Sequence, residues 1–253
     1  WAISECLLID GPRVIVTPGG PQTLVAALDK QTGRTVWTSE PLDGERTSYS
    51  SPILFRYAGR RLIANCSGGH GFGLDADSGH LLWSVPLRNR FDTNVSTPVY
   101  GDGRVFYVTP YAEEGRAYRL RAEGDRIAAE QAWHSPLDTV TGSGVLVGDM
   151  LFAAGYRSNK LWLGVDWATG RTKFEQKAFT TGAAVHADGR LYVFDETGTA
   201  GMLKPDASGL QVVGRFRPVT GRARDAWAHP VLLDGRLYLR YHDTLWCYDV
   251  KNP

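Results

Sequence analysis

Three features of the sequence predict an all-β fold: an excess of glycine, one phrase that recurs at a near-constant interval, and no apolar period of the helical kind. Glycine accounts for 29 of 253 residues, about 11% where about 7% is usual, so turns are frequent and strands short. The recurring phrase is a turn glycine, usually with Asp before it or Arg after it, followed by alternating apolar residues. It reads Asp10-Gly11-Pro12-Arg13-Val14-Ile15-Val16, then Gly59-Arg60-Arg61-Leu62-Ile63-Ala64, then Asp102-Gly103-Arg104-Val105-Phe106-Tyr107. It returns at Gly148-Asp149-Met150, Asp188-Gly189-Arg190-Leu191 and Asp234-Gly235-Arg236-Leu237. Successive glycines lie 48, 44, 45, 41 and 46 residues apart, and a fixed period in this range marks an array of similar supersecondary units.

Each unit divides into four elements. An Asp-Gly pair between apolar runs signals a hairpin, because both turn positions tolerate positive φ. The run before the glycine is strand-like, as in Ser51-Pro52-Ile53-Leu54-Phe55, Thr97-Pro98-Val99-Tyr100 and His229-Pro230-Val231-Leu232-Leu233. Two more short runs follow each hairpin, for example Leu24-Val25-Ala26-Ala27-Leu28 and Thr35-Val36-Trp37-Thr38. Four strands in about 45 residues describe a blade of a β-propeller. Stacked β-sandwiches would show turns every 8–12 residues without this longer period. Residues 1–253 therefore read as one propeller domain, with units starting near residues 3, 50, 96, 142, 181 and 228. The sixth stops after three strands.

A second phrase follows the third strand of three units. Asp29, Gly33 and Trp37 recur as Asp75, Gly79 and Trp83 and again as Asp166, Gly170 and Phe174, with offsets of four and eight each time. Asp with Thr or Ser can bond turn backbone while Gly takes positive φ; the aromatic is then placed on the outermost strand, against the neighbouring blade. This phrase resembles the tryptophan-docking motif of the PQQ-like propeller repeat family, which includes quinoprotein alcohol dehydrogenases and BamB-type outer-membrane assembly factors. It is degraded around Leu120–Trp133 and Leu203–Phe216. WD-repeat signatures are absent, and the Gly-Gly pairs expected of kelch blades occur in only two units, at Gly19-Gly20 and Gly68-Gly69. Relatives usually have seven or eight blades, so the resemblance implies the C-terminal part of a longer propeller, truncated at its N-terminus.

Composition and motifs exclude several function classes. With 28 Lys+Arg against 27 Asp+Glu, the chain has no bulk field for gathering nucleic acid. No apolar run approaches the roughly 18 residues of a transmembrane helix, and no signal peptide is visible in the sequence as given. Cys6, Cys66 and Cys247 are too scattered for a disulfide framework or a metal site, and are expected to be free thiols. The six histidines show no ligand spacing, so no metal site is expected. Gly68-Gly69-His70-Gly71-Phe72-Gly73 leads into a strand and not a helix, so it reads as a loop and not a phosphate cradle. Gly142-Ser143-Gly144 lacks the spacing of a nucleophile elbow, and no catalytic residue is assigned.

In an up-and-down blade the first and third turns share one end, where the stereotyped phrases sit. The irregular connections, between second and third strands and from one blade to the next, share the other end, where function tends to lie. Candidate binding residues at that rim are Trp1, Glu5, Tyr49 and Ser50, with Trp227, His229, Tyr241, His242 and Asp243 in the last unit. Aromatic and polar groups at a concave rim make a plausible binding surface. The expected role is a binding scaffold for a protein or polysaccharide, with no cofactor. By resemblance it is periplasmic or otherwise extracytoplasmic. The alternative by resemblance is a quinoprotein dehydrogenase, of alcohol or polyvinyl-alcohol type, using pyrroloquinoline quinone (PQQ) and calcium. Against it, no adjacent cysteines and no alignable calcium ligands are present.

Overall fold

The computed structural model describes residues 4–111, 114–156, 161–221 and 223–251, and it divides into two compact units, Trp1–Pro136 and Leu137–Pro253. Each unit holds three antiparallel sheets whose strands follow chain order. In the first unit, blade one comprises β1 (Leu8–Asp10), β2 (Arg13–Val16), β3 (Ala26–Asp29) and β4 (Thr35–Thr38). Blade two comprises β5 (Ile53–Tyr57), β6 (Arg60–Cys66), β7 (His70–Asp75) and β8 (Leu81–Pro86). Blade three comprises β9 (Val99–Gly101), β10 (Arg104–Thr109), β11 (Glu114–Glu123) and β12 (Arg126–Ser135).

In the second unit, blade four comprises β13 (Val145–Val147), β14 (Met150–Ala154), β15 (Trp162–Asp166) and β16 (Thr172–Gln176). Blade five comprises β17 (Gly182–Ala187), β18 (Arg190–Asp195), β19 (Ala200–Pro205) and β20 (Leu210–Phe216). Blade six has three strands, β21 (Val231–Leu233), β22 (Arg236–Tyr241) and β23 (Thr244–Asp249). The strands fall in the expected register of six units, and no helix occurs among the described residues.

The hairpin turns vary more than the repeated phrase suggests. In blades three, five and six both Asp and Gly have positive φ, as at Asp102 (46°) and Gly103 (68°). In blade one Asp10 pairs with Arg13, so the turn is Gly11-Pro12 and only the glycine is left-handed. Asp10 is thereby released into a ring of ion pairs, with Arg13 at 2.6 Å and with Arg61 of blade two; both arginines also reach Asp77.

The hydrophobic cores lie between neighbouring blades, and strand alternation explains how. In β6, Leu62, Ala64 and Cys66 face blade three while Ile63 faces blade one. A middle strand is thus buried on both sides and reads as an almost continuous apolar run, as in β10, which is buried along its whole length. The second unit repeats this pattern with clusters between blades four and five and between five and six. Leu7 and Ile9 in blade one and Val231, Leu233 and Leu245 in blade six remain exposed.

Every complete blade has a register shift between its third and fourth strands. A small residue lies opposite an aromatic just before the shift: Ala27 opposite Trp37, Gly73 opposite Trp83, Ala117 opposite Trp133 and Gly164 opposite Phe174. A methyl group at Gly73 would overlap the Trp83 indole, so the missing side chain is what lets the ring lie flat on its own sheet. Trp83 is buried and its indole N–H donates to the Tyr107 hydroxyl of blade three at 3.2 Å. Removing such an aromatic costs about 3–5 kcal/mol. Trp37 and Phe174, placed by the same phrase against the neighbouring blade, are only half-buried, on outermost strands with more exposed positions than β8.

Candidate functional site

The irregular end of the first unit is held together by buried polar side chains in the connections between blades. The segment before Ser50 runs between two loops: Gly19 bridges Arg46 and Thr47 bridges Ser67. Glu45 lies beneath. Its carboxylate accepts the Ser67 hydroxyl and the Gly69 amide (3.0 Å) and meets His70 Nδ1 at 2.7 Å and the Arg88 guanidinium at 3.3 Å. Burial pushes the Glu45 carboxyl up, but the bonds from Ser67, Gly69 and His70 together hold it below the usual carboxylate range. Asn94 works from the next connection: its side-chain amide nitrogen reaches the carbonyls of Ser67 (2.8 Å), Gly68 (3.2 Å) and Leu87 (3.1 Å), and its main-chain carbonyl accepts the Tyr49 amide at 2.9 Å. The segment read as a loop through Gly73 is therefore a loop only to Gly69, and His70 already begins β7.

The second unit uses the same device. Asp138, fully buried, accepts the Tyr156 amide at 3.0 Å, and the Thr181 hydroxyl donates to the Gly155 carbonyl at 2.8 Å. Asp195 gathers the Thr197 hydroxyl (2.7 Å) and the Thr199 amide (3.1 Å). None of Glu45, Asn94, Asp138 or Thr181 was singled out from sequence. The available signal was a second-order repeat: Ser48 and Ser50 stand 46 residues before Asn94 and Ser96, and the Ser50 hydroxyl donates to the Ser96 carbonyl at 3.0 Å.

The rim residues chosen from sequence fall into separate settings. Trp1 lies outside the described residues. Glu5 accepts the Thr17 amide through Oε1 at 2.6 Å, while Oε2 is buried with no partner among the described residues; burial pushes this carboxyl up against its bonds to Thr17. Thr17 also receives the Asn65 amide at 2.9 Å, and Asn65 Oδ1 is likewise buried without a partner. Ser50 is buried and Tyr49 half-buried, both engaged in the scaffold. In the second unit, Tyr241 and His242 meet on Asp225, a residue outside the set chosen from sequence. The Tyr241 hydroxyl donates to Asp225 Oδ1 at 3.2 Å and His242 Nε2 lies 3.6 Å from it. Asp243 takes the Thr244 hydroxyl and no other group among the described residues. Trp227 is 50% exposed. His229 keeps solvent access, but the protein around it lowers its pKa, opposed by a hydrogen bond with the Thr141 backbone.

At the stereotyped end, the Asp-x-x-Thr-Gly turns share one geometry. Asp29 Oδ1 accepts the Thr32 amide and hydroxyl, both at 2.8 Å, and Asp75 and Asp166 do the same with Ser78 and Thr169. The hydroxyl bonds from Thr32 and Thr169 are the main reason that Asp29 and Asp166 lie below the usual carboxylate range. Gly33, Gly79 and Gly170 have φ of 72°, 77° and 74°. The turn of blade two also receives the ring of Trp37, which a methyl at Gly79 would overlap.

Antiparallel four-stranded blades with this turn define a PQQ-like β-propeller. The chain belongs to the family described as outer membrane protein assembly factor BamB, which matches residues 2–176. Among solved structures, BamB from Moraxella catarrhalis is similar with a TM-score of 0.68 and 18% identity, over 95% of this chain and 70% of that one. The computationally designed Ika8 protein gives 0.69 at 12% identity, over 97% and 70%. Quinohemoprotein alcohol dehydrogenase from Comamonas testosteroni gives 0.62 at 13%, over 94% and 51%. At these identities the similar structures establish the fold alone. No curated protein matches the sequence.

Proposed function

We propose that this chain is an extracytoplasmic binding scaffold that presents the irregular ends of its blades to a protein partner. The observation that carries the reading is the set of buried polar side chains, Glu45, Asn94, Asp138 and Thr181, that fix those loops from beneath. Loops held in advance lose little entropy on binding. They also carry exposed aromatics of the kind that anchor protein interfaces: Phe91 is 51% exposed at the tip of a turn whose Phe91 and Thr93 amides both donate to Asn89 Oδ1. Membership of the BamB family supports an extracytoplasmic setting and a protein partner. A photo-cross-linking amino acid in place of Phe91, in extracytoplasmic extract of the source organism, should capture a discrete partner. The same group in place of Thr32, at the opposite end of the blades, should not. Equal capture at both positions, or at neither, refutes the reading.

The quinoprotein alternative has one observation in its favour. Glu5 Oε2 and Asn65 Oδ1 are buried oxygens without partners among the described residues, and a hard cation takes such donors. Calcium needs six to eight oxygens, however. No group of three or more His, Cys, Asp or Glu side chains gathers among the described residues, and the cysteines are not adjacent. The donor set among the described residues does not fit PQQ with calcium.

A further inference from the structure

The connection into blade six exposes chemistry that a protein-docking role leaves unused. Ala226 is buried in the core between blades five and six, and its amide donates to the Glu196 carbonyl at 3.3 Å. The Trp227 amide closes back on the Asp225 carbonyl at 2.9 Å, a three-residue turn centred on Ala226. With the middle residue anchored inward, its neighbours are turned outward: Asp225 is exposed and Trp227 half-exposed. The tight turn between β22 and β23 then brings two more groups to the same carboxylate. The Tyr241 hydroxyl and His242 Nε2 both meet Asp225 Oδ1, and the imidazole stands edge-on to the phenol with ring centres 4.2 Å apart. Asp225 Oδ2 has no hydrogen-bond partner among the described residues.

We infer that Asp225, Trp227, Tyr241 and His242 form a binding site for a neutral saccharide. A pyranose has an apolar face of C–H groups and a rim of hydroxyls. The exposed indole offers a flat apolar surface for the face. The open carboxylate oxygen accepts hydroxyl protons, and the phenol and imidazole can donate or accept. Tyr241, His242 and Asp225 already hold one another, so little side-chain freedom is lost when a ligand arrives. Charge gives no strong preference for an ion: among the described residues, exposed Arg224 and Arg240 offset Asp225 and Asp243. The surroundings argue against a protein anchor. Such anchors sit inside a ring of contacts that excludes water, whereas Trp227 is flanked in sequence by two alanines and shares its turn with exposed polar groups.

The inference extends the function proposed above to a ligand class and is tested apart from it. The full chain is titrated calorimetrically with maltohexaose, cellohexaose and chitohexaose. At least one should bind, and Trp227→Ala should weaken that binding at least about tenfold, while Trp227→Phe retains most of it. Asp225→Asn should weaken it as well. The melting midpoint of Trp227→Ala should match the parent, because the side chain is half-exposed, and this separates lost binding from lost folding. No binding of any of the three sugars at about 10 mM, or equal binding by Trp227→Ala, overturns the inference. Loss of a protein cross-link on Trp227→Ala without sugar binding assigns the turn to a protein and also overturns it. Failure of the Phe91 cross-link with sugar binding intact removes only the protein-partner reading.

Discussion

Cys66 sits at the end of β6, fully enclosed, with Ser50 bonding its thiol and Tyr107 close by; burial pushes its pKa up to about 12. Cys6 and Cys247 are exposed, and all three are free thiols. Since the thiolate is the reactive form, a thiol reagent should label two groups rapidly in the native protein and the third only after unfolding. Three rapid equivalents would show that Cys66 is accessible. Glu45 offers a second residue-level test. Its folded pKa is below the unfolded value, so its stabilisation is present above the ordinary carboxylate range and is lost as pH falls through the lowered value. Glu45→Gln should therefore be less stable than the parent at neutral pH and should flatten the acid limb of a stability–pH curve. Leaving buried donors unpaired costs about 1–3 kcal/mol. If the two curves stay parallel down to acid, Glu45 does not fix the loops.

At the scale of the element, the repeated unit is a turn, a bulge and a ring across from a small residue, and each part can be replaced. Blade three drops the Asp turn for a two-residue hairpin at Gly124-Asp125 between ten-residue strands, yet keeps Trp133 opposite Ala117. Blade five shortens the turn to Asp206–Gly209, where Asp206 takes the Ser208 hydroxyl and amide and the Gly209 amide. There Phe179, from the connection before β17, covers Gly201, with the Arg215 guanidinium 5.1 Å from the ring centre. Two glycines separate the turn's own strain from its contact with the ring. Gly33 and Gly79 have matching positive φ, but a methyl at Gly33 meets nothing within 4 Å, whereas one at Gly79 meets Trp37. Gly33→Ala should cost only the left-handed penalty of about 1–2 kcal/mol, and Gly79→Ala clearly more, read from denaturant midpoints. Equal losses would mean that the Trp37 contact carries no weight.

For the whole molecule, the described residues form a scaffold of strands without helix, the net charge of the chain is close to zero, and the proposed role falls on loops that buried polar groups hold in place. A bound quinone would stabilise the native state by mass action, by about 2.7 kcal/mol at a hundredfold excess over Kd. Adding PQQ and Ca²⁺ to the intact protein is expected to leave the melting midpoint unchanged, because the oxygens near Thr17 fall short of a calcium shell. A clear upward shift that Glu5→Gln abolishes would reverse this and restore the dehydrogenase reading.

The sequence by itself determined the repeat, the strand order within each unit and the geometry of the Asp-x-x-Thr-Gly turn. Those features depend on residues within about a dozen positions of one another, where turn chemistry and alternation act directly. It also showed Trp227 and Tyr241-His242 to be unusual. It did not show that Asp225 joins them, since that bond spans 16 residues and depends on Ala226 being drawn into the core. Only the tertiary structure revealed Glu45 and Asn94, because a polar loop residue looks the same in sequence whether it faces water or lies beneath a neighbouring loop. The same limit applies to Phe179: its ring covers a glycine 22 positions away, and packing at that distance is decided by which strands become neighbours, not by any local spacing.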